Sequence, residues 1–124
     1  MSPQNIQERS LEYALRAIRL FRHLNERKDA VAWVIGKQYL RAATSIGANL
    51  AEAQSGETRA DFIHKCGIAQ KEARESRFWL LLMLKSRLIS VGKLELLMQE
   101  TDEIIAILTS ILVNAKKNAK KMTA

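Results

Sequence analysis

Few residues of this chain have side chains suited to catalysis or metal binding: two histidines, His23 and His64, one cysteine, Cys66, and the carboxylates. His64 and Cys66 stand two positions apart, so on a helix they point about 200° from each other and form no thiol–imidazole pair. A nucleophilic cysteine needs a base and an electropositive, accessible setting. Cys66 instead shares an apolar spacing with Phe62 and Ala69, which reads as a buried thiol. Glu72 and Glu75 lie one turn apart, a start on the carboxylate cluster that holds iron in ferritin-like bundles. Those sites pair Glu-x-x-His motifs, and neither Glu52 nor Glu72 has a histidine three residues later. No Gly-rich phosphate loop is present. The expectation is a protein that is not an enzyme and uses no metal and no cofactor.

What remains is positive charge. The net charge is +7 and the pI about 9.9, a balance that attracts nucleic acid, acidic protein or an anionic surface. Arg9, Arg16, Arg19, His23 and Arg27 recur along the charged side of the first predicted helix. Lys116, Lys117, Lys120 and Lys121 gather near the C-terminus. As a binding surface these cations contact phosphates, with salt-dependent affinity. As a solvated bundle face they serve solubility alone, and Arg19 has Glu12 and Glu26 within reach as partners. No aromatic platform accompanies them, which argues against base-specific reading of single strands. Two functions follow: association with RNA or DNA through a basic surface, or a scaffold role toward another protein in which charge has no nucleic-acid part.

The elements that position these residues are helices. Hydrophobic residues make up 48% of the 124, and with only five Gly and one Pro there are too few turn residues for an all-β chain. Periodicity predicts a single all-α domain with helices over about 5–25, 30–54, 59–89 and 93–114, followed by a basic tail, 115–124, that frays. On the first, Leu11, Ala14, Ile18, Phe21 and Leu24 form the apolar stripe. On the second, Val31, Ile35, Ala42, Ile46 and Leu50 share a face, and Gly47 implies close approach of a neighbouring helix. On the third, Phe62, Cys66, Ala69, Ala73, Leu80 and Leu84 form the main stripe. The fourth is the cleanest, from Leu94 to Leu112. Asp29 and Thr58 stand at N-cap positions, and Gly56 fits the left-handed end of a helix. Breaks this short make consecutive helices antiparallel neighbours, so the expected fold is an up-down-up-down four-helix bundle.

Two features exceed what a bundle needs. Ile68, Trp79 and Leu82 lie across the third helix from its main stripe, and an apolar second face with a Trp marks a self-association surface. Asn49 sits among Ala48 and Leu50, where a buried amide requires a hydrogen bond. A lone cysteine fits a reducing compartment, and no uncharged run approaches the ~20 residues of a membrane span, so a cytoplasmic protein with no membrane role is expected.

The run Arg41-Ala-Ala-Thr-Ser-Ile-Gly-Ala-Asn-Leu-Ala-Glu-Ala-Gln54 and the run from Asp61 to Leu80 resemble the four-helix-bundle family encoded in intervening sequences of bacterial 23S rRNA genes. The accessory variability determinant of diversity-generating retroelements is related to that family. The shared signature falls on Ser45, Asn49 and Glu52. The resemblance implies an antiparallel bundle assembled as a ring-like homopentamer. In the retroelement branch it also implies a basic surface for nucleic acid and a reverse transcriptase as partner. Ala53-Gln54 stands where many members have Gly after the Glu, which sets this chain apart as a standalone branch.

Overall fold

The computed structural model describes residues 3–123. Four α-helices account for nearly all of them, with no strand among the described residues: α1 (Pro3–Asn25), α2 (Ala30–Gln54), α3 (Arg59–Lys85) and α4 (Val91–Thr123). Each helix packs on its neighbours in chain order and α4 closes back onto α1, while the backbones of diagonal helices stay apart. Arg9 meets Glu100 while His23 meets Lys93, so α1 and α4 run antiparallel. The product is an up-down-up-down four-helix bundle.

The helix ends are set by local chemistry. The Asp29 carboxylate accepts the Val31 and Ala32 amides at 2.9 and 3.4 Å, satisfying orphan donors at the start of α2. The Thr58 hydroxyl accepts the Asp61 amide at 3.0 Å and starts α3. Gly56 does not take up a left-handed conformation. The left-handed positions fall instead on Lys28 (φ 52°) and Arg87 (φ 59°). Arg87 ends α3 four residues short of the predicted 89: its N–H donates to the Leu84 carbonyl, and the Leu88 N–H to the Met83 carbonyl, at 3.2 and 2.9 Å. That is the paired closure usually built on glycine, and a side chain there costs about 1–2 kcal/mol. Leu88 then folds back into the core. α4 starts at Val91 rather than 93 and, in place of a frayed tail, stays helical to Thr123.

The core of α1 lies one residue out of phase with its greasiest stripe. Ile6, Ser10, Tyr13, Ala17 and Leu24 are buried, whereas Leu11 is 64% exposed and Ala14, Ile18 and Phe21 are only half-buried. Small residues win the inner line because α1 and α2 approach closely: a Cβ on Gly47 would stand 3.3 Å from the Ser10 hydroxyl and 3.6 Å from its carbonyl oxygen. On α2, Val31 likewise faces outward, and Ala32, Gly36, Tyr39, Ala42, Ala43, Ile46, Leu50 and Ala53 form the inner line. On α3 the inner residues are Cys66, Ala69, Ala73, Ser76, Leu80 and Met83. α4 presents Leu94, Leu97, Thr101, Ile104, Leu108 and Leu112 to the core.

A polar layer crosses this core, one hydroxyl from each helix: Tyr13, Tyr39, Ser76 and Thr101, all buried. The Thr101 hydroxyl donates to the Leu97 carbonyl at 2.7 Å, which uses its one hydrogen, so the Tyr13 hydroxyl must be the donor in its 2.6 Å bond to Thr101. Ser76 donates to the Glu72 carbonyl at 2.9 Å. Tyr39 packs edge-on against Tyr13 with ring centroids 6.3 Å apart, and its hydroxyl has no hydrogen-bond partner among the described residues.

The α1–α4 seam is the most sparsely packed of the four. Polar links cross it: Arg9 to Glu100 and Glu103, Tyr13 to Thr101, and His23 to Lys93; at the end of the bundle Arg27 donates to the Leu88 carbonyl between the two turns.

Candidate nucleic-acid interface

The cations of α1 divide by their helical phase relative to α4. Arg9 faces the seam and is held by carboxylates. Its Nε donates to Glu100 at 3.0 Å and its Nη2 to Glu103 at 3.2 Å, and the hydrogen bond to Glu100, followed by the nearby charges, raises its pKa. Arg27 spends its guanidinium on the Leu88 carbonyl. Arg16 and Arg19, two to three turns further along than Arg9, line a shallow groove of about 310 Å³ between α1 and α4. His23 and Lys93 complete its polar wall, and Leu20 and Leu97 form its floor. The Lys93 Nζ lies 3.0 Å from His23 Nε2, a contact in which the ammonium donates to the ring nitrogen. The carboxylates within ion-pair range are peripheral: Glu12 stands 3.7 Å from Arg19, and Glu26 stands 3.8 Å from His23.

Lys116, Lys117, Lys120 and Lys121 are exposed on the last turns of α4. At 1.5 Å per residue, Lys116 lies roughly 35 Å along α4 from Lys93. The structure therefore does not bring the tail lysines together with Arg16 and Arg19. Lys93 is the groove residue that the sequence reading missed. It precedes the apolar stripe of α4 by one residue, and only the antiparallel pairing of the first and last helices places it against His23.

Ile68, Trp79 and Leu82 lie on one stripe of α3, spaced with Glu72 and Glu75 at alternating four- and three-residue steps, and all three are half-buried. Trp79 donates its indole N–H to Glu75 at 3.1 Å and packs in part on the core. Phe78, 54% exposed, meets the Trp79 ring edge-on at 5.1 Å. Arg41 reaches across from α2 to Glu72 at 3.3 Å and also bonds Glu75. Ser45, Asn49 and Glu52 continue along α2 from Arg41. Ser45 donates to the Arg41 carbonyl at 2.7 Å, Asn49 to the Ser45 carbonyl at 2.8 Å, and Glu52 pairs with Lys65 at 3.0 Å. Asn49 is half-buried, so its amide is satisfied at the rim of the bundle and not inside the core.

No group of three His, Cys, Asp or Glu side chains converges among the described residues. Cys66 is buried, and burial pushes its thiol pKa up, away from the reactive thiolate. No described helix is long and apolar enough to cross a membrane.

Fold and surface together define a helical-bundle protein with a cationic groove on one seam and apolar strips beside α2. The sequence pattern of the 23S rRNA-intervening sequence protein family matches residues 3–110. The chain belongs to that family. It is also similar to a crystal structure of a protein of unknown function from the S23 ribosomal protein family of Bacteroides thetaiotaomicron. That protein is 41% identical, the match covers 90% of this chain and 98% of the other, and the TM-score is 0.85. No curated protein matches the chain.

Proposed function

We propose that this chain is a non-enzymatic binding protein that self-associates and attaches to RNA or DNA through its cations. The observation that carries the nucleic-acid part is the convergence of Arg16, Arg19, His23 and Lys93 on one groove whose carboxylates stand only at the edge. The Arg16, Arg19 and Lys93 cations draw in a phosphate backbone and release its counterions, while the His23 ring, accepting from Lys93, holds that ammonium at the groove. The net charge of +7 extends the attraction over the whole molecule.

Self-association is supported by two apolar strips on opposite flanks of α2. Leu11, Ala14, Ala48 and Ala51 line a groove of about 250 Å³ on the α1 side. Ile68, Phe78, Trp79 and Leu82 run along the α3 side. Two unlike strips favour head-to-tail contact between copies, which closes into a ring when the rotation allows; the homopentamer of the resemblance is one such ring.

Filter binding of a structured RNA at two salt concentrations tests the first part. Affinity should be present at low salt and fall steeply as salt rises, and its absence at low salt would remove the reading. Light scattering tests the second: Trp79→Glu and Leu11→Glu should each lower the mass of the assembly while helicity is retained. A wild-type mass equal to one chain would end the ring. A protein partner captured equally well after nuclease treatment would favour the scaffold role.

A further inference from the structure

We propose that the end of the bundle formed by the α1–α2 and α3–α4 turns, together with the Arg16–Arg19–His23–Lys93 groove, is a docking site for phosphate groups of a nucleic-acid backbone, and that the lysine-rich end of α4 is not. The inference deepens the nucleic-acid reading above and rests on it.

Three independent observations meet at this end. The first is the groove itself, with four cationic or protonatable side chains over an apolar floor. The second is a placement that helix electrostatics does not explain. Lys93 sits in the first turn of α4, where the helix dipole disfavours a cation, and that turn holds no acidic residue. The positive end of α4 and the Lys93 ammonium therefore add at the groove, and an incoming anion supplies the charge the fold omits.

The third is backbone strain. Lys28 and Arg87 are the two non-glycine left-handed residues among the described ones, and each heads a turn at this end. The Arg27 bond to the Leu88 carbonyl ties the two turns together. Glycine suits both positions better, yet both carry a long exposed cation, and neither makes an ion pair among the described residues. Strain retained at a residue whose side chain faces solvent points to a use for that side chain. An anion reaching from the turns into the groove meets Lys28, Arg87, Lys93, Arg16 and Arg19. Several phosphates in sequence, as on a polynucleotide, fit this spread of cations better than one compact ion.

Three double variants, each removing two positive charges from the full chain, test the placement by fluorescence anisotropy with a labelled 20-nucleotide RNA at about 0.1 M salt. Arg16→Gln/Lys93→Gln and Lys28→Gly/Arg87→Gly should each weaken binding roughly tenfold. Lys116→Gln/Lys120→Gln should change it by about twofold or less, as a long-range charge effect. The turn variant carries its own signature, because its melting temperature should rise while its affinity falls, which a purely structural role does not produce. Equal losses in all three variants, or the greatest loss in the tail variant, would overturn the placement. A second arm adds inorganic phosphate followed by ³¹P line broadening. If wild type ignores the RNA yet broadens phosphate, and Arg16→Gln/Lys93→Gln abolishes the effect, the groove is a free-phosphate site and the polynucleotide reading fails alone. No response to either ligand defeats both.

Discussion

Tyr39 shows how a single residue shapes the interior. Its hydroxyl lies buried without a partner, while the Tyr13 hydroxyl beside it is committed to Thr101. An unpaired buried hydroxyl costs about 1–3 kcal/mol, so Tyr39→Phe should leave stability unchanged or raise it by about 1 kcal/mol, measured by urea denaturation. Tyr13→Phe, which removes a donor that Thr101 accepts, should instead destabilise by about 1 kcal/mol. Burial raises the pKa of both phenols, that of Tyr39 further still through Tyr13. The folded state thus favours the neutral ring. Its contribution is complete below the unfolded phenol pKa of about 10 and is lost as pH climbs through the higher folded value. Melting temperatures between pH 8 and 11.5 should fall more steeply for wild type than for Tyr39→Phe; parallel curves would assign the loss to surface lysines instead. None of this layer was legible in the sequence, because a hydroxyl on each of four helices acquires a common level only when the helices are docked.

At the scale of the helix, legibility followed the contrast between inner and outer residues. On α4 the stripe from Leu94 to Leu112 is far greasier than its flanks, and the structure buries that same line. On α1 the contrast is inverted: the inner line includes Ser10, Tyr13 and Ala17, and the outer includes Leu11, Ile18 and Phe21. Hydrophobicity alone therefore picked a line rotated by about 100° over Leu11 to Phe21, which meets the buried one only at Leu24. What decided the matter is the close passage of Ser10 over Gly47, a pairing of two helices that no single segment reveals. The end of α3 was missed for a related reason: Arg87 occupies a glycine-type cap, while the nearest glycine, Gly92, lies within α4. α4 also outruns its support. Among the described residues Ala115 is the last buried one on α4, and the Lys116–Lys121 turns stand largely exposed. Amide exchange should accordingly be much faster over 116–121 than over 97–112, and equal protection of the two stretches would show that another surface covers the end of α4.

For the whole molecule, the fold class and the family could be read from the chain, whereas the candidate site could be read only in half. Arg16 and Arg19 stand out on a helix face, but Lys93 joins them through the meeting of the first helix with the last, some seventy positions away in the chain. That same meeting has a wider effect. The groove walls are α1 and α4, and the joint between them is the most sparsely packed of the four and is crossed by charged side chains. Dissolved ions weaken such a joint as surely as they mask phosphates. Ionic strength therefore acts twice, once on the ligand's attraction and once on the shape of what receives it. Binding should decline with salt more steeply than the number of neutralised phosphates alone would dictate.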